Sequence, residues 1–401
     1  MSETLVRRHA PLVGDRLLVD FQDRLKRYRA IEAHRGRPII AYATSTRQGL
    51  RVMMAGDAVR ELIDQVDAIP AGSTEVDVLL HSTGGDALAA WKLMSVLRER
   101  FSKVGVLVPF AAFSAATVFA LGADEIVMHP HASLGPIDPQ ILLRLPDGNM
   151  RQFAYEDLTA YLKFLGDEVG ITEQVHKTTV VDRLFTSVDP VVVGGAKRAS
   201  DLASAVGARL LSMHEKDERR AKQIATNLNK SFFAHGDAVS RTRARELELN
   251  VAPSDPKLEA LIWDAYLGLE SSMELRKPFV ALSHFMSEPA AEASLKMPAA
   301  LEIPSNAPEQ LALQMWQAAA QRGLGAAQAK APEVPFEWLN AVIESPRCRS
   351  ENRTTGYVQA WRQPNGMIQV NLVEKEANWR TFNTVESTQE PATEGDKGAT
   401  L

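Results

Sequence analysis

Continuous apolar runs and segments with helical spacing alternate along the first 140 residues. Four apolar runs predict strands, at 38–44, 76–81, 104–109 and 126–128. Helical spacing is found between them, at 58–66, 87–98 and 114–121. This alternation predicts βαβ units and a mostly parallel sheet, so the fold class is α/β. Because the strand runs are continuous rather than alternating, we expect both faces of the sheet to be covered.

The pattern on either side of this region is different. Residues 1–34 are charged, and an amphipathic run from Gly14 to Ala33 predicts an N-terminal helical arm. Beyond residue 140 the spacing is mostly helical from 155 to 269, and its longest amphipathic stretch covers 202–232. The main domain is therefore predicted to cover residues 35–285, with helical additions in its second half.

Composition changes again after residue 285. Residues 286–335 are rich in Ala, Pro and Glu, and predict an exposed connector with one helix at 310–321. Two strand-like runs at 357–361 and 367–373 flank Pro364-Asn365-Gly366, which is a hairpin signal. We therefore predict a small β-hairpin appendage at 336–385. The polar residues 386–401 predict a disordered tail.

Charge and cysteine content exclude several classes of protein. The chain has 45 basic and 50 acidic residues and a net charge of −5, which argues against binding to nucleic acid or to an anionic membrane. No apolar run is long enough for a membrane span, and the single cysteine, Cys348, allows no intramolecular disulfide. We expect a cytoplasmic protein. Neither a dinucleotide fingerprint nor a phosphate-binding P-loop occurs, so we predict no cofactor and no ATPase within this chain.

The segment from His81 to Asp86 reads His-Ser-Thr-Gly-Gly-Asp and joins a predicted buried strand to a helix. The glycines Gly84 and Gly85 allow the backbone to approach a ligand closely, and N–H groups at a helix start favour a developing negative charge. Such a turn is equally typical of an ordinary strand-to-helix connection, with Asp86 as the helix N-cap.

Ser114 begins Ser-Ala-Ala-Thr at the next strand-to-helix turn. At that position it is either a nucleophile that benefits from the helix dipole or an ordinary N-cap serine. A serine hydroxyl needs a base to attack, and the sequence offers several candidates. Possible bases and acids lie in the loop after the strand at 126–128 (His129, His131 and Asp138) and at His235. His129 and His131 lack a matching ligand set nearby, so we predict no metal site.

These segments, in this order, resemble the Clp protease/crotonase superfamily. The closer resemblance is to the serine dehydrogenase proteinase family, on the strength of residues 123–132 (Ala-Asp-Glu-Ile-Val-Met-His-Pro-His-Ala) and 134–140 (Leu-Gly-Pro-Ile-Asp-Pro-Gln). The resemblance covers residues 35–280. It implies a repeated ββα core and a serine endopeptidase that acts on a peptide or protein substrate. It also implies a homo-oligomer, for which the arm 14–33 and the helix 202–232 are candidate contacts.

The resemblance further implies a catalytic triad in the order Ser, Asp, His. Ser114 would be the nucleophile, Asp138 the orienting acid and His235 the general base. The amides of Gly84, Gly85 and Ala115 would form the oxyanion hole.

Three alternatives remain open at this stage. Other residues compete for the acid role (Asp124 and Asp237) and for the base role (His129, His131 and His176). A Ser-Lys dyad, as in the related signal peptide peptidase A, would use Lys163, which lies on a predicted helix. A non-catalytic scaffold on the same fold would instead bind a partner protein, for which the hairpin region with Trp338 and Trp361 would serve.

Overall fold

The computed structural model describes residues 13–144, 150–186, 188–230, 238–295, 308–318, 332–362 and 366–383. Its named helices are α1 (Val13–Arg35), α2 (Ala58–Asp67), α3 (Ala87–Arg100), α4 (Ala115–Leu121), α5 (Tyr155–Asp167), α6 (Gln174–Phe185), α7 (Pro190–Leu211), α8 (Glu218–Lys230), α9 (Arg241–Glu246), α10 (Pro256–Ser272), α11 (Ala281–Met286) and α12 (Pro289–Leu295). Its strands are β1 (Ile39–Thr44), β2 (Glu75–His81), β3 (Lys103–Val108), β4 (Ala111–Ala112), β5 (Glu125–Met128), β6 (Ser133–Leu134), β7 (Ile141–Arg144), β8 (Met150–Phe153), β9 (Val239–Ser240), β10 (Val334–Glu344), β11 (Cys348–Arg362) and β12 (Ile368–Asn383).

A seven-stranded sheet forms the centre of the molecule, in the order β12-β11-β10-β1-β2-β3-β5. Strands β1, β2, β3 and β5 are parallel, as the alternating pattern predicts. Every residue of β1 is buried, and so is all of β2 after its first residue. One apolar core lies between the sheet and α2, α3, α4, α7 and α8, and a second lies between the sheet and α1 and α10. Burial on both faces explains why these strands are continuously apolar.

A second, three-stranded sheet in the order β4-β6-β9 lies at the carboxyl ends of the parallel strands. β4 and β6 are parallel, and β9 joins β6 in the antiparallel direction. Isolated bridges tie this edge together, since Ser82 pairs with Ala112 and Met54 pairs with Gly85. Segments that are far apart in the sequence therefore meet at one end of the central sheet.

The predicted C-terminal hairpin is present as β11 and β12, but it is longer than predicted and is continuous with the central sheet. β10 joins it to β1 in the antiparallel direction, with Tyr42 opposite Ile343. A third apolar core forms where α11 and α12 cover these strands, around Phe285, Phe336 and Trp338. The division of the chain into five segments stays a prediction, and the tail at 386–401 lies outside the described residues.

Helix α1 confirms the helix predicted from Gly14 to Ala33, and it is docked on the core. Tyr28 and Ile31 are fully buried against α10 and the sheet. The guanidinium of Arg24 donates to Glu344 Oε1 at 2.6 Å, and Tyr28 Oη donates to the same oxygen at 2.6 Å. This buried polar cluster, Arg24–Tyr28–Glu344, ties the start of the described chain to β10.

The amphipathic stretch predicted at 202–232 is interrupted within its described part. α7 ends at Leu211 and α8 begins at Glu218, so residues 212–217 separate them. Asp217 supplies a local reason for the interruption, because its carboxylate accepts hydrogen bonds from the amides of Arg219 and Arg220 at the start of α8. Among the described helices, none combines the length and the apolar character that crossing a membrane requires.

Candidate active site

Ser114 has an unusual backbone conformation. Its φ is +51° and its ψ is −119°, a region that residues with a Cβ rarely occupy. It stands at the N-cap of α4, yet its side chain makes no capping hydrogen bond. An ordinary N-cap serine has an extended backbone and uses its hydroxyl to bond the first turn, as Ser240 does for α9. Strain of this kind clusters at active sites, so the geometry favours the nucleophile over the cap.

The helix behind Ser114 is held rigidly. All seven residues of α4 are buried, which its small side chains permit. The single hydroxyl in the helix, on Thr117, donates to the carbonyl of Ala112 at 2.7 Å and accepts from the amide of Gly135 at 3.0 Å. Thr117 therefore fixes both the strand that leads into Ser114 and the loop that leads to Asp138. This role of Thr117 was not among the predictions, although a lone hydroxyl in an apolar helix is a signal that the sequence shows.

The Gly84-Gly85 turn lies directly against Ser114. A Cβ added to Gly84, whose φ is +99°, would come within 2.4 Å of the carbonyl oxygen of Phe113 and 2.8 Å of Ser114 Cβ. A Cβ on Gly85 would come within 2.3 Å of the carbonyl oxygen of Met54. Both glycines are therefore required by close backbone approach rather than by turn geometry alone.

The amides around Ser114 differ in whether they are already bonded. The Gly84 amide donates to Ser82 Oγ at 3.0 Å. The amides of Gly85 and Ala115 make no hydrogen bond with the described residues. An oxyanion hole needs N–H donors that are not already hydrogen-bonded within the protein. This requirement favours the amides of Gly85 and Ala115 as the pair of donors.

His81 is fully buried at the end of β2. Its Nε2 lies 3.2 Å from Thr46 Oγ1, and its Nδ1 has no partner among the described groups. Burial lowers the pKa of His81 to about 4, so the imidazole is neutral at physiological pH. His81 therefore adds no positive charge beside the glycine turn.

Asp138 lies at 7% exposure in the loop that Thr117 holds, and its Oδ2 accepts from Gln140 Nε2 at 2.7 Å. The amide of Ile137 donates to the carbonyl of Leu228 on α8, at 3.1 Å. On the other side of this loop, Leu134 of β6 pairs with Val239 of β9. The described residues that flank segment 231–237 on both sides are thus bonded to the Asp138 loop. His235 and Asp237 lie in that segment, outside the described residues.

The competing acids and bases among the described residues have other partners or are exposed. Asp124 binds Arg98 at 2.7 Å and accepts from the amide of Val104 at 2.7 Å, which is a structural role. The ring of His129 stacks on Trp263 with centroids 4.8 Å apart, and its Nδ1 accepts from the His131 amide. His176 is exposed on α6.

Lys163 is exposed on α5. A lysine acts as a base when burial disfavours its ammonium form, and the exposure of Lys163 does not meet that condition. Within the described residues, no hydrogen bond or ion pair joins Lys163 to the Ser114 region, and no group of three or more His, Cys, Asp or Glu side chains is arranged to hold a metal.

Comparison with known proteins confirms the family resemblance. Residues 19–157 match the model of the ClpP-like SDH-type serine proteinases, which includes Ser114, both glycines and Asp138. Two uncharacterized proteins of Methanocaldococcus jannaschii are similar to the chain. One is 26% identical over 240 residues, 58% of this chain and 73% of the relative, and the other is 23% identical over 206 residues, 51% of this chain and 63% of the relative.

Solved structures of low similarity include a membrane-bound stomatin-specific protease in complex with a substrate peptide. It has a TM-score of 0.34 and 15% identity, over 55% of this chain and 78% of that one. A probable enoyl-CoA hydratase/isomerase from Mycobacterium abscessus has a TM-score of 0.25 and 13% identity, over 74% of this chain and 94% of that one. We draw no functional conclusion from likeness at this level.

Proposed function

We propose that this protein, whose residues 19–157 match the model of the ClpP-like SDH-type serine proteinases, is a serine endopeptidase. It would hydrolyse peptide bonds in peptide or protein substrates. The family match supports a serine peptidase in general terms. The observation that carries the specific proposal is Ser114, because a strained serine that does not cap its helix lies against a glycine turn in which the Gly85 amide makes no hydrogen bond with the described residues.

In this mechanism the hydroxyl of Ser114 attacks the scissile carbonyl and forms an acyl-enzyme. His235 accepts the hydroxyl proton and returns it to the leaving amine, and Asp138 orients the imidazole. The amides of Gly85 and Ala115 donate to the oxyanion. The assignment of His235 is supported by its chain neighbours, because Leu228 and Val239 are both bonded to the Asp138 loop.

The triad and the Ser-Lys dyad predict opposite results for two alanine variants. We expect His235→Ala to lower kcat/KM for a fluorogenic peptide by about 10³-fold or more, because the nucleophile loses its base. Lys163→Ala should retain activity within about twofold, since no hydrogen bond or ion pair among the described residues joins Lys163 on α5 to the Ser114 region. Full activity in His235→Ala together with loss in Lys163→Ala would replace the triad by the dyad. The kcat/KM of Asp138→Asn should lie between those of His235→Ala and Lys163→Ala, and circular dichroism should show that its fold is retained.

The oxyanion turn gives a second prediction. Gly84→Ala should lower kcat/KM at least about a hundredfold, since a Cβ displaces the turn from Ser114 and an oxyanion donor is worth about 10²–10³ in rate. Gly72→Ala is the matched control, because a Cβ at Gly72 meets nothing within 4 Å. Equal activity in the two variants would show that the Gly84 turn does not serve the chemistry.

We also propose that the protein is a homo-oligomer that associates through α5 and α6. Neither helix has a buried residue, and their exposed apolar side chains include Tyr161, Leu162, Phe164 and Phe185. The same two helices enclose a cavity of about 410 Å³, lined by Leu165 and Val181 among others. A surface that carries both projecting rings and an apolar cavity can be complementary to a second copy of itself.

The contacts predicted on the arm 14–33 and on 202–232 are less suited to this role. Tyr28 and Ile31 of α1, and Leu210 and Leu228 of α7 and α8, are buried within the chain itself. The test is light scattering at micromolar concentration. We expect an oligomer that Phe164→Asp and Phe185→Asp dissociate, whereas Val191→Asp, at an exposed apolar position on α7, should leave it intact. A monomeric wild-type protein would contradict the proposal.

A further inference from the structure

A cavity of about 430 Å³ opens beside the candidate active site, on the side of α10. Thr83 and Phe113 line it, and these residues directly precede Gly84 and Ser114. Its volume lies within the ~300–1,000 Å³ range of sites that bind small molecules or side chains. A peptide held at Ser114 would therefore place the side chain of a residue near its scissile bond within reach of this cavity.

Part of the cavity wall is aromatic. The ring of Phe110 stacks on the ring of Tyr266 with centroids 5.2 Å apart, and Tyr266 meets His81 edge-on at 5.0 Å. Tyr266 and His81 are buried, whereas Phe110 is 43% exposed although it is a large apolar residue. Because Phe110 lines the cavity, an apolar group bound there would cover a ring that otherwise faces water.

The charges of the cavity are balanced. Glu270 and Arg276 both line it, and they carry opposite charges. Burial, together with a hydrogen bond to Glu270, raises the pKa of Tyr266, so its ring stays neutral. Burial likewise keeps His81 neutral behind the wall. A cavity with no net charge and with apolar walls from Phe110, Phe113 and Leu275 favours an uncharged side chain over Lys, Arg, Asp or Glu.

We infer that this cavity is a substrate subsite that selects a large apolar side chain, aromatic or leucine-like, at one position next to the scissile bond. This inference rests on the proposed peptidase function and adds its substrate class. Burial of such a side chain is expected to favour a peptide with Phe at that position about tenfold to a hundredfold over the same peptide with Ala.

The first experiment digests a mixed peptide library with the full-length protein and maps the cleavage sites by mass spectrometry. We expect Phe, Tyr, Leu or Met to be enriched at a single position within two residues of the cut. Phe110→Ser, which removes the exposed ring, and Leu275→Trp, which fills the cavity, should each lower the ratio of kcat/KM for the Phe peptide to kcat/KM for the Ala peptide at least tenfold. Phe382→Ser is the matched control, because Phe382 is 44% exposed on β12, outside this cavity.

A binding measurement separates this inference from the proposed function. In the Ser114→Ala protein, fluorescence anisotropy should show the Phe peptide bound at least tenfold more tightly than the Ala peptide, and Phe110→Ser should remove the difference. Cleavage without any apolar preference, or a preference that survives both cavity variants, overturns the subsite and leaves the peptidase standing. Absence of cleavage and of serine-directed labelling in the wild type, with the binding preference intact, overturns the peptidase and leaves the subsite standing.

Discussion

Ser114→Ala is expected to abolish peptide hydrolysis and labelling by a fluorophosphonate probe, while the protein remains folded. Removal of a catalytic serine lowers kcat by about 10³–10⁶ in serine proteases, because the covalent pathway is lost. The fold should be unaffected, since the Ser114 hydroxyl makes no capping bond to α4. Labelling measured by gel fluorescence and folding measured by circular dichroism together check this result.

Ser240→Ala provides the matched control, because Ser240 also occupies a helix N-cap. There the hydroxyl accepts from the amide of Arg243, so its removal should cost about 1 kcal/mol of stability and leave labelling intact. Ser114→Gly should have the opposite effects on labelling and on stability. It should abolish labelling, and it should raise the free energy of unfolding by about 1 kcal/mol, because glycine adopts the positive φ without strain. A labelled Ser114→Ala protein would exclude Ser114 as the nucleophile.

Glu344→Ala is expected to give the largest loss of stability, about 3–5 kcal/mol in the free energy of unfolding. Glu344 has no exposed surface, and it accepts two hydrogen bonds from Arg24 and one from Tyr28. Without the carboxylate, the buried guanidinium of Arg24 retains Glu351 at 3.7 Å and Ser272 as its partners. Urea denaturation followed by tryptophan fluorescence measures the change.

Asp264→Ala is the comparison for that variant. Arg27, one turn after Arg24 on the same helix, binds Asp264 at the surface, where both side chains contact solvent. An exposed pair contributes about 0.5 kcal/mol, so this variant should unfold near the wild-type urea concentration. Equal losses in the two variants would show that burial of the Glu344 cluster adds nothing to stability.

The sequence predicted those parts of the molecule that depend on local pattern. The four parallel strands and the cap at Asp86 occur where predicted, because continuous apolar runs and capping side chains are properties of neighbouring residues. The strain at Ser114 was not predictable, since the local sequence also fits an ordinary N-cap serine, and Gly84, which packs against Ser114, lies 30 residues earlier in the chain.

Long-range pairing accounts for the other differences. Nothing near Val334 indicates that β10 joins β1, and nothing near Met53 or Met54 indicates that this segment pairs with Gly85. The unburied apolar faces of α5 and α6 were equally hidden, because an amphipathic pattern does not reveal whether its partner lies in the same chain. The assignments of Asp138 and His235 still depend on the family resemblance, and they stay predictions.

The pairing of β10 with β1 has a consequence for the order of events during synthesis. Tyr42 pairs with Ile343, and Arg24 donates a hydrogen bond to Glu344. These contacts can form, and the central sheet can be completed, only after roughly 300 further residues have left the ribosome. Contacts of such separation close slowly, since the intervening chain loses its freedom before the pairing rewards it. Ser114 lies early in the chain, at the N-cap of α4, whereas the central sheet is completed only by strands from the last part of the described chain. The sheet whose strand ends lie beside Ser114 is therefore complete only after most of the chain, including β10, has been translated.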